Sequence, residues 1–187
     1  MIGDSRDPVR RVDFGVVASS ALDEADRARL QQLWSEAFGS RFSEHDADHA
    51  FGGWHVVAWT GGELVAHASV IERRIQFGPD WRNIGYVEAV AVVPKQQHRR
   101  LGSAAMELLH DEITMRWPVA MLSTGRATGF YESLGWERWQ GISYTLTSDG
   151  RVTDNEHGGL MILRIDPSAV PDLTVEVTCE DRPGDAW

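Results

Sequence analysis

Gln97-His98-Arg99-Arg100-Leu101-Gly102-Ser103 stands between two unlike stretches of chain. Before it runs "GYVEAVAVV", dense in apolar and β-branched residues as a strand covered on both faces requires, and stopped by Pro94. After it, Leu101, Ala105, Leu108, Leu109 and Ile113 recur at helical spacing, which predicts a helix over Arg100 to Trp117. A strand that runs straight into a helix presents the helix's first amide groups, unpaired within the helix, at the strand's carboxyl end. Such a junction binds anions, and Arg99 and Arg100 add charge of the right sign. The plainer alternative is a basic first turn on a solvated helix. The glycine patterns GxGxxG and GxxxxGK[ST] are both absent, which argues against a dinucleotide fold and against nucleotide hydrolysis.

Glu88 lies inside the same apolar strand. A lone carboxylate there is costly to bury unless it is partnered, so it marks an open cleft, where it could act as a general base or hold a cation.

Other elements must position these groups. "VDFGVVA" reads as a first strand, and the segment after Ser20 reads as a helix, with Leu22, Ala25, Leu30, Leu33, Trp34 and Phe38 on one side. Ser43 stands three residues before Asp46, the pattern of a capping box opening a short second helix. Thr60-Gly61-Gly62 joins two strands as a hairpin. "VAMLS" is a short buried strand and "ATGFYESLG" a short helix closed by Gly135. "WERWQGISYTLT", "GGLMILRI" and "LTVEVTC" are strand-like, with "SDGRVTDNEHG" and "DPSAVPD" as separators. No internal repeat or linker divides the chain. It is therefore expected to form one mixed α/β domain over 1–187, with residues 1–10 loose.

The bulk numbers narrow the partners. At 187 residues and 42% apolar content the chain can build a core, and its 28 acidic against 18 basic residues give a net charge of -10. That charge disfavours nucleic acid and anionic membranes as partners and favours a cationic one, although plain solubility also explains an acidic surface. The single cysteine, Cys179, allows no internal disulfide and no metal cluster. The spacing of His45, His49, His55 and His67 suits no common metal site, so no metal is expected. No secretory leader and no apolar run near the roughly 18 residues of a membrane span is present, which fits a cytoplasmic protein.

The run Gln97 to Gly102 resembles motif A of the Gcn5-related N-acetyltransferases (GNAT), Gln/Arg-x-x-Gly-x-Gly/Ala, and the order of elements resembles that fold. Arg100 stands where the motif usually has its first glycine. The resemblance implies a mixed central sheet whose fourth and fifth strands splay around the thioester of acetyl-coenzyme A. It places the pyrophosphate on Gln97, His98, Arg99, Arg100, Leu101, Gly102 and Ser103. It sets the backbone from Glu88 through Val90, Ala91 and Val92 along the pantetheine arm, with the Val90 amide near the acetyl carbonyl. Tyr131 matches the tyrosine that many of these enzymes hold beside the coenzyme sulfur as a proton donor; the alternative is a tyrosine half buried against the core. Ser123, at a strand end, is a candidate contact to coenzyme or substrate. The resemblance implies direct attack by the amine, with no covalent enzyme intermediate and no role for Cys179.

"AFGSRFSEHDADHAFGGWH", "HASVIERR" with "GYVEAVAV", and the closing "CEDRPGDAW" resemble, more narrowly, the aminoglycoside 2'-N-acetyltransferases. That likeness assigns Asp46, Glu88, Asp185 and the carboxylate of Trp187 to the antibiotic site, and it implies a homodimer. Arg41 departs from it, because family members commonly have an aspartate there. Either Arg41 turns outward or the substrate carries a negative group, as kasugamycin does on its amidine arm, so Arg41 joins the candidate substrate-binding residues. Kasugamycin is the leading specific substrate on this reading. Ordinary 2'-amino aminoglycosides, other small amines, polyamines or peptide N-termini, and a non-catalytic coenzyme-binding module are the alternatives.

Overall fold

Gly61 and Gly62 sit at positive φ, 60° and 84°, so β2 (Trp54–Thr60) folds back as β3 (Glu63–Phe77) in the expected hairpin. This computed structural model describes residues 11–154 and 158–187. Residues 1–10, expected to be loose, lie outside the described residues. Strand β1 (Asp13–Ala18) pairs with β2, and β3 pairs along its other edge with β4 (Asp80–Val92). The remaining strands are β5 (Val119–Ser123), β6 (Glu137–Arg138), β7 (Ser143–Thr147), β8 (Gly150–Thr153), β9 (Leu160–Arg164) and β10 (Val177–Glu180). All ten join one sheet in the order β6-β9-β5-β4-β3-β10-β7-β8, with β2 and then β1 added beside β3. The fifteen residues of β3 serve two neighbours on one edge, β2 over its first half and β10 at its end.

Helix α1 (Glu24–Phe38) starts later than its apolar pattern predicts. Residues Ser19–Ala21 make a 3₁₀ turn first, and Asp23, not Ser20, caps the helix by accepting from the Asp26 amide at 2.8 Å. Helix α2 (Glu44–His49) carries the expected capping box: Asp46 Oδ2 takes the Ser43 amide at 2.7 Å, and Ser43 Oγ takes the Asp46 amide at 3.2 Å. Helix α3 (Leu101–Arg116) buries Leu101, Ala105, Met106, Leu109 and Ile113, so Met106 belongs to the buried side and Leu108 only to its margin. Helix α4 (Thr128–Glu132) is followed by Gly135 at φ 88°, as the glycine predicts.

Two corrections concern the C-terminal third. Residues 150–153, read from sequence as part of a separator, pair with β7 as the outermost strand. "WERWQGISYTLT" breaks into β6 and β7 on either side of Gly141, where the Gln140 and Gly141 amides both donate to the Leu173 carbonyl and a Cβ at Gly141 would stand 1.8 Å from the Val175 carbonyl oxygen.

The helices cover both faces. On one, α3 meets Val56, Ala68, Val70 and Val87; on the other, Leu30, Leu33 and Trp34 of α1 meet Ala47, Ala50 and Ala91. A third cluster joins Ile75, Tyr86, Met121, Trp139, Ile162 and Cys179 with Ala186 and Trp187, so the C-terminal tail is packed into the core.

Between α1 and the sheet lie two wholly buried imidazoles. His55 Nε2 meets Ser19 Oγ at 2.6 Å, His55 Nδ1 meets His67 Nε2 at 2.9 Å, and His67 Nδ1 meets the Ala89 carbonyl oxygen at 2.8 Å. Burial lowers His55 from 6.5 to about 4 and His67 to about 3, so both are neutral in the folded protein. The unfolded chain takes up these protons as the pH falls through 6.5, while the folded chain does so only near 4 and 3. Stability present above pH 6.5 is therefore lost on acidification, at about 1.4 kcal/mol per pH unit for each histidine. Urea unfolding followed by fluorescence should show a much lower midpoint at pH 5 than at pH 7, with a shallower decline in His55→Gln; equal midpoints in the parent protein would contradict the account.

Candidate active site

Strands β4 and β5 are in parallel register only at Gly85 with Ala120 and Tyr86 with Met121. Beyond that point β5 stays paired with β9 through Ser123 while β4 continues beside β3, and the two strands part. Where they part, β4 bulges: Glu88 is opposite Ser69 and Ala91 opposite His67, so two β4 residues face one on β3. Ala89 takes φ 51°, a left-handed conformation unusual for a residue with a side chain. Ser69 Oγ donates to the Glu88 carbonyl oxygen at 3.0 Å, and His67 reaches that of Ala89, so both carbonyls of the bulge are held from β3.

A cleft of about 540 Å³ opens there. Val90 and Val92 form one wall, residues 96–98 and 100–103 its end, and Ala127, Phe130 and Tyr131 the opposite wall. His98 and Arg100 both sit in left-handed conformations, φ 61° and 62°, two residues apart at the start of α3, the kind of turn from which anion-binding amide nests are built. The position where motif A usually has glycine is thus one where the backbone favours glycine, and Arg100 occupies it at a conformational cost of order 1 kcal/mol. Gln97 Nε2 donates to the Val92 carbonyl oxygen at 3.2 Å, tying the loop to β4. A Cβ at Gly102 would lie 3.5 Å from Phe130 and 3.6 Å from Val92, an ordinary contact, so what glycine preserves is room in the cleft.

Tyr131 is buried, edge-on to Phe130 with centroids 5.0 Å apart, and burial pushes its phenol well above the ordinary value. It stays protonated at neutral pH. Ser123 ends β5 at the parting of the strands. Two residues of the expected set fall outside the cleft lining: Ala91 is packed against α1, and Arg99 is bonded to the Gln96 side chain.

The register places Ser69, Ile71 and Arg73 of β3 on the same face as Glu88, Tyr86 and Ile84 of β4. Glu88 is largely buried, and Arg182 from the tail lies 2.8 Å from its Oε1, with the two side chains 15% and 14% exposed. Burial raises the Glu88 carboxyl above its ordinary range; Arg182 and, more weakly, Arg73 oppose this, and Asp46 adds to it. The guanidinium of Arg73 lies over the Tyr86 ring, 4.6 Å from its centroid, and the buried Tyr86 hydroxyl has no hydrogen-bond partner among the described residues. His49 is held below its ordinary value by burial and by Arg182. The tail is seated on α2 where Gly184, at φ 82°, approaches His45; a Cβ there would stand 2.7 Å from that of His45.

Arg182 from the tail and Asp46 from α2 therefore both act on the Glu88 carboxyl of β4, in opposite directions. Asp185 is exposed and accepts the Trp187 amide at 3.1 Å, while the Trp187 indole belongs to the core. Arg41 is exposed, its Nε donating to the Phe38 carbonyl oxygen at 3.4 Å, and no contact joins it to Glu88 or Asp46. The Trp54 and Trp136 rings are engaged within the protein: Arg116 covers Trp54 at 4.0 Å, and Trp136 is buried with Nε1 donating to His110 at 2.9 Å. Sequence reasoning missed Tyr86, Arg73, Arg182 and Phe130. Period-two alternation with Glu88 could have found Tyr86; no local signal marks Arg182.

The fold is shared with known proteins. Residues 19–139 match the model of the acetyltransferase (GNAT) domain, so the chain is an acetyl-coenzyme A-dependent N-acetyltransferase of that superfamily. The fold is similar to that of a GNAT-family N-acetyltransferase (YhbS) of Escherichia coli in complex with CoA, with TM-score 0.67, 15% identity and coverage of 95% of this chain and 96% of that one. It is also similar to Escherichia coli ElaA, with TM-score 0.60, 20% identity and coverage of 81% and 99%. An aminoglycoside 2'-N-acetyltransferase of Mycolicibacterium fortuitum is 35% identical over 176 residues, 92% of this chain and 90% of that one. The chain belongs to the aminoglycoside 2'-N-acetyltransferase family.

Replacing Arg100 by glycine should relieve the left-handed strain while removing a cation from the cleft. The expected result is a melting temperature higher by about 2–4 °C, for a gain of order 1 kcal/mol, together with a several-fold higher KM for acetyl-coenzyme A. Calorimetry and initial rates measure both; a lower melting temperature would refute the strain argument.

Proposed function

We propose that this enzyme transfers the acetyl group of acetyl-coenzyme A to the 2'-amine of an aminoglycoside-type antibiotic, kasugamycin foremost, and so confers resistance. The observation that carries the reading is Glu88: a largely buried carboxylate at the bulge of β4, between the cleft and the Asp46–Arg182 cluster.

The cleft fits a coenzyme with a diphosphate at one end. His98, Arg100 and the first amides of α3 would hold the diphosphate, Val90 and Val92 would line the pantetheine arm, and Tyr131 would stand at the thioester end. When bound, the thioester supplies an acetyl group activated for attack by an amine. Glu88, directly or through one water, takes the proton that the attacking amine must lose; a raised carboxyl pKa makes it a better base for that task than an exposed carboxylate. Tyr131, kept protonated by burial, returns a proton to the departing thiolate. Asp46 and Asp185 supply negative charge toward a polycationic acceptor, and the unpartnered Tyr86 hydroxyl is left to bond substrate or water.

The cations favour kasugamycin over ordinary aminoglycosides. Arg73 and Arg182 lie close enough to Glu88 to act on its charge, an unhelpful pair for a purely cationic ligand and a suitable one for a ligand that also bears a carboxylate; Arg41, exposed and apart from them beside α2, adds only to the surface charge such a ligand would meet. Thiol release from acetyl-coenzyme A across kasugamycin, gentamicin, tobramycin and kanamycin tests the reading. The expected order has kasugamycin first and kanamycin, which has a hydroxyl in place of the 2'-amine, inactive. Arg41→Asp should weaken the kasugamycin preference; rapid kanamycin turnover would sink the regiochemistry, and an unchanged preference would sink the charge argument. Turnover of polyamines or peptide N-termini alone would select a different acceptor, and tight coenzyme binding without transfer a non-catalytic module.

The base is needed ionised, so kcat/KM should rise with pH through a Glu88 pKa above the usual carboxylate range. Arg182→Gln removes the neighbour that opposes the shift and should move that limb to higher pH, while Glu88→Gln should lower kcat by about 10²-fold or more. A limb that stays in place in Arg182→Gln would show that Glu88 is not the group titrating.

A further inference from the structure

The buried chain of side chains from Ser19 to Ala89 ends on the bulge, and its direction can be worked out. Ser19 Oγ accepts two backbone amides, Gly52 at 2.9 Å and Gly53 at 3.1 Å. Both lone pairs of the hydroxyl are then occupied, so at 2.6 Å from His55 Nε2 it must donate. His55 therefore carries its proton on Nδ1 and donates to His67 Nε2 at 2.9 Å, and His67 carries its own on Nδ1 and donates to the Ala89 carbonyl oxygen at 2.8 Å. Trp34 Nε1 stands 3.1 Å from the same His67 nitrogen, which cannot both accept from the indole and donate to the carbonyl. The reverse assignment would ask Ser19 Oγ to accept three bonds, so the Ser19 end decides. Both imidazoles are fully buried and held neutral by that burial, which gives each ring one donor and one acceptor, as the one-way chain requires.

Ala89 has a left-handed backbone, and its carbonyl belongs to the peptide unit whose other end is the Val90 amide. A hydrogen bond that fixes the carbonyl fixes the plane of that peptide, and with it the direction of the amide. We propose that His67, set in its donating tautomer by His55 and Ser19, is a positioning residue for acetyl transfer: it holds the Ala89–Val90 peptide so that the Val90 amide points at the acetyl carbonyl. The inference rests on the reading of the bulge as the thioester end of the cleft. Ser69, which holds the neighbouring Glu88 carbonyl, shares the task of keeping the bulge in place.

A role confined to packing would affect all properties together, whereas positioning separates them. Coenzyme affinity is expected to depend mainly on the loop at 97–103, far along the cleft from Ala89. His67→Phe keeps a ring but removes the donor, and should lower kcat at least 10-fold while the affinity for free coenzyme A, from fluorescence titration, stays within about 2-fold. His67→Asn places an amide N–H near the former Nδ1 and should return kcat to within about 3-fold of the parent. A folded His67→Phe with parental kcat overturns the proposal, as does an equal loss of kcat and coenzyme affinity in both variants. Should His67→Phe fail to fold, His67→Asn still decides: near-parental kcat supports the proposal, and a 10-fold loss in a folded protein overturns it. Val90→Pro, which deletes the amide itself, tests the underlying reading separately. Full activity there sinks the thioester assignment, while an inactive Val90→Pro beside a fully active His67→Phe sinks only the role of His67.

Discussion

The bulge at Ala89 is where backbone hydrogen bonding, strain and the cleft meet. A regular β4 would go on alternating its amides between its neighbours, and nothing on the β5 side could stay open. Instead β4 and β5 share register at only two residue pairs, then part, and the extra residue on β4 is accommodated by a left-handed alanine. Left-handed alanine costs of order 1 kcal/mol or more, so the conformation persists only because its surroundings hold it. Those surroundings are visible: His67 and Ser69 grip two successive carbonyls, and Ala91 is locked against α1 immediately afterwards. The buried histidines carry a cost of their own in acid, which the fold accepts for a fixed strand distortion.

Electrostatics divides the protein in two. The net charge of -10 belongs to the surface at large, while the start of α3 sets Arg100 and the helix's first amides at the end of the cleft, with Arg99 turned to the Gln96 side chain. On the other side of the bulge, Glu88 is neither free nor simply neutralised. Burial pushes its carboxyl up while Arg182 and Arg73 push it down, and the balance leaves the carboxyl above its ordinary range. The buried pair is better understood as a tuned site than as a source of stability, since taking both charges from water costs roughly what their attraction returns. Through Arg182 the C-terminal tail acts on the Glu88 carboxyl, in addition to packing Trp187 into the core.

Much of the fold is legible in the order and periodicity of the residues. The hairpin glycines, the Ser43 capping box, the apolar strand before motif A and the helix after it all form where local chemistry puts them, because each signal is satisfied within a few residues of itself. The failures are equally physical. β8 is a short, mostly exposed edge strand whose polar composition resembles a loop until β7 supplies its partner, and the start of α1 was decided by which of two nearby polar residues reached a free amide. Trp136 looks like any aromatic candidate for a sugar until its burial against His110 is known.

For the site, the residues themselves announced the basic turn at the start of α3, the isolated carboxylate of Glu88 and the anomaly of Arg41, since each is a departure from its immediate surroundings. Local sequence can register such departures because they are defined by neighbours along the chain. Only the tertiary structure brought Arg182 to Glu88 across 94 positions, measured from the residue numbers, let the Asp46 charge on a separate helix act on that carboxyl, and left Arg41 apart on the Phe38 carbonyl. It alone decided that Arg100 adopts the glycine-favouring conformation and that His55 and His67 join in one buried chain ending on the bulge. Hydrogen-bond direction and proton affinity depend on which groups share a buried space, and sequence spacing carries no record of that.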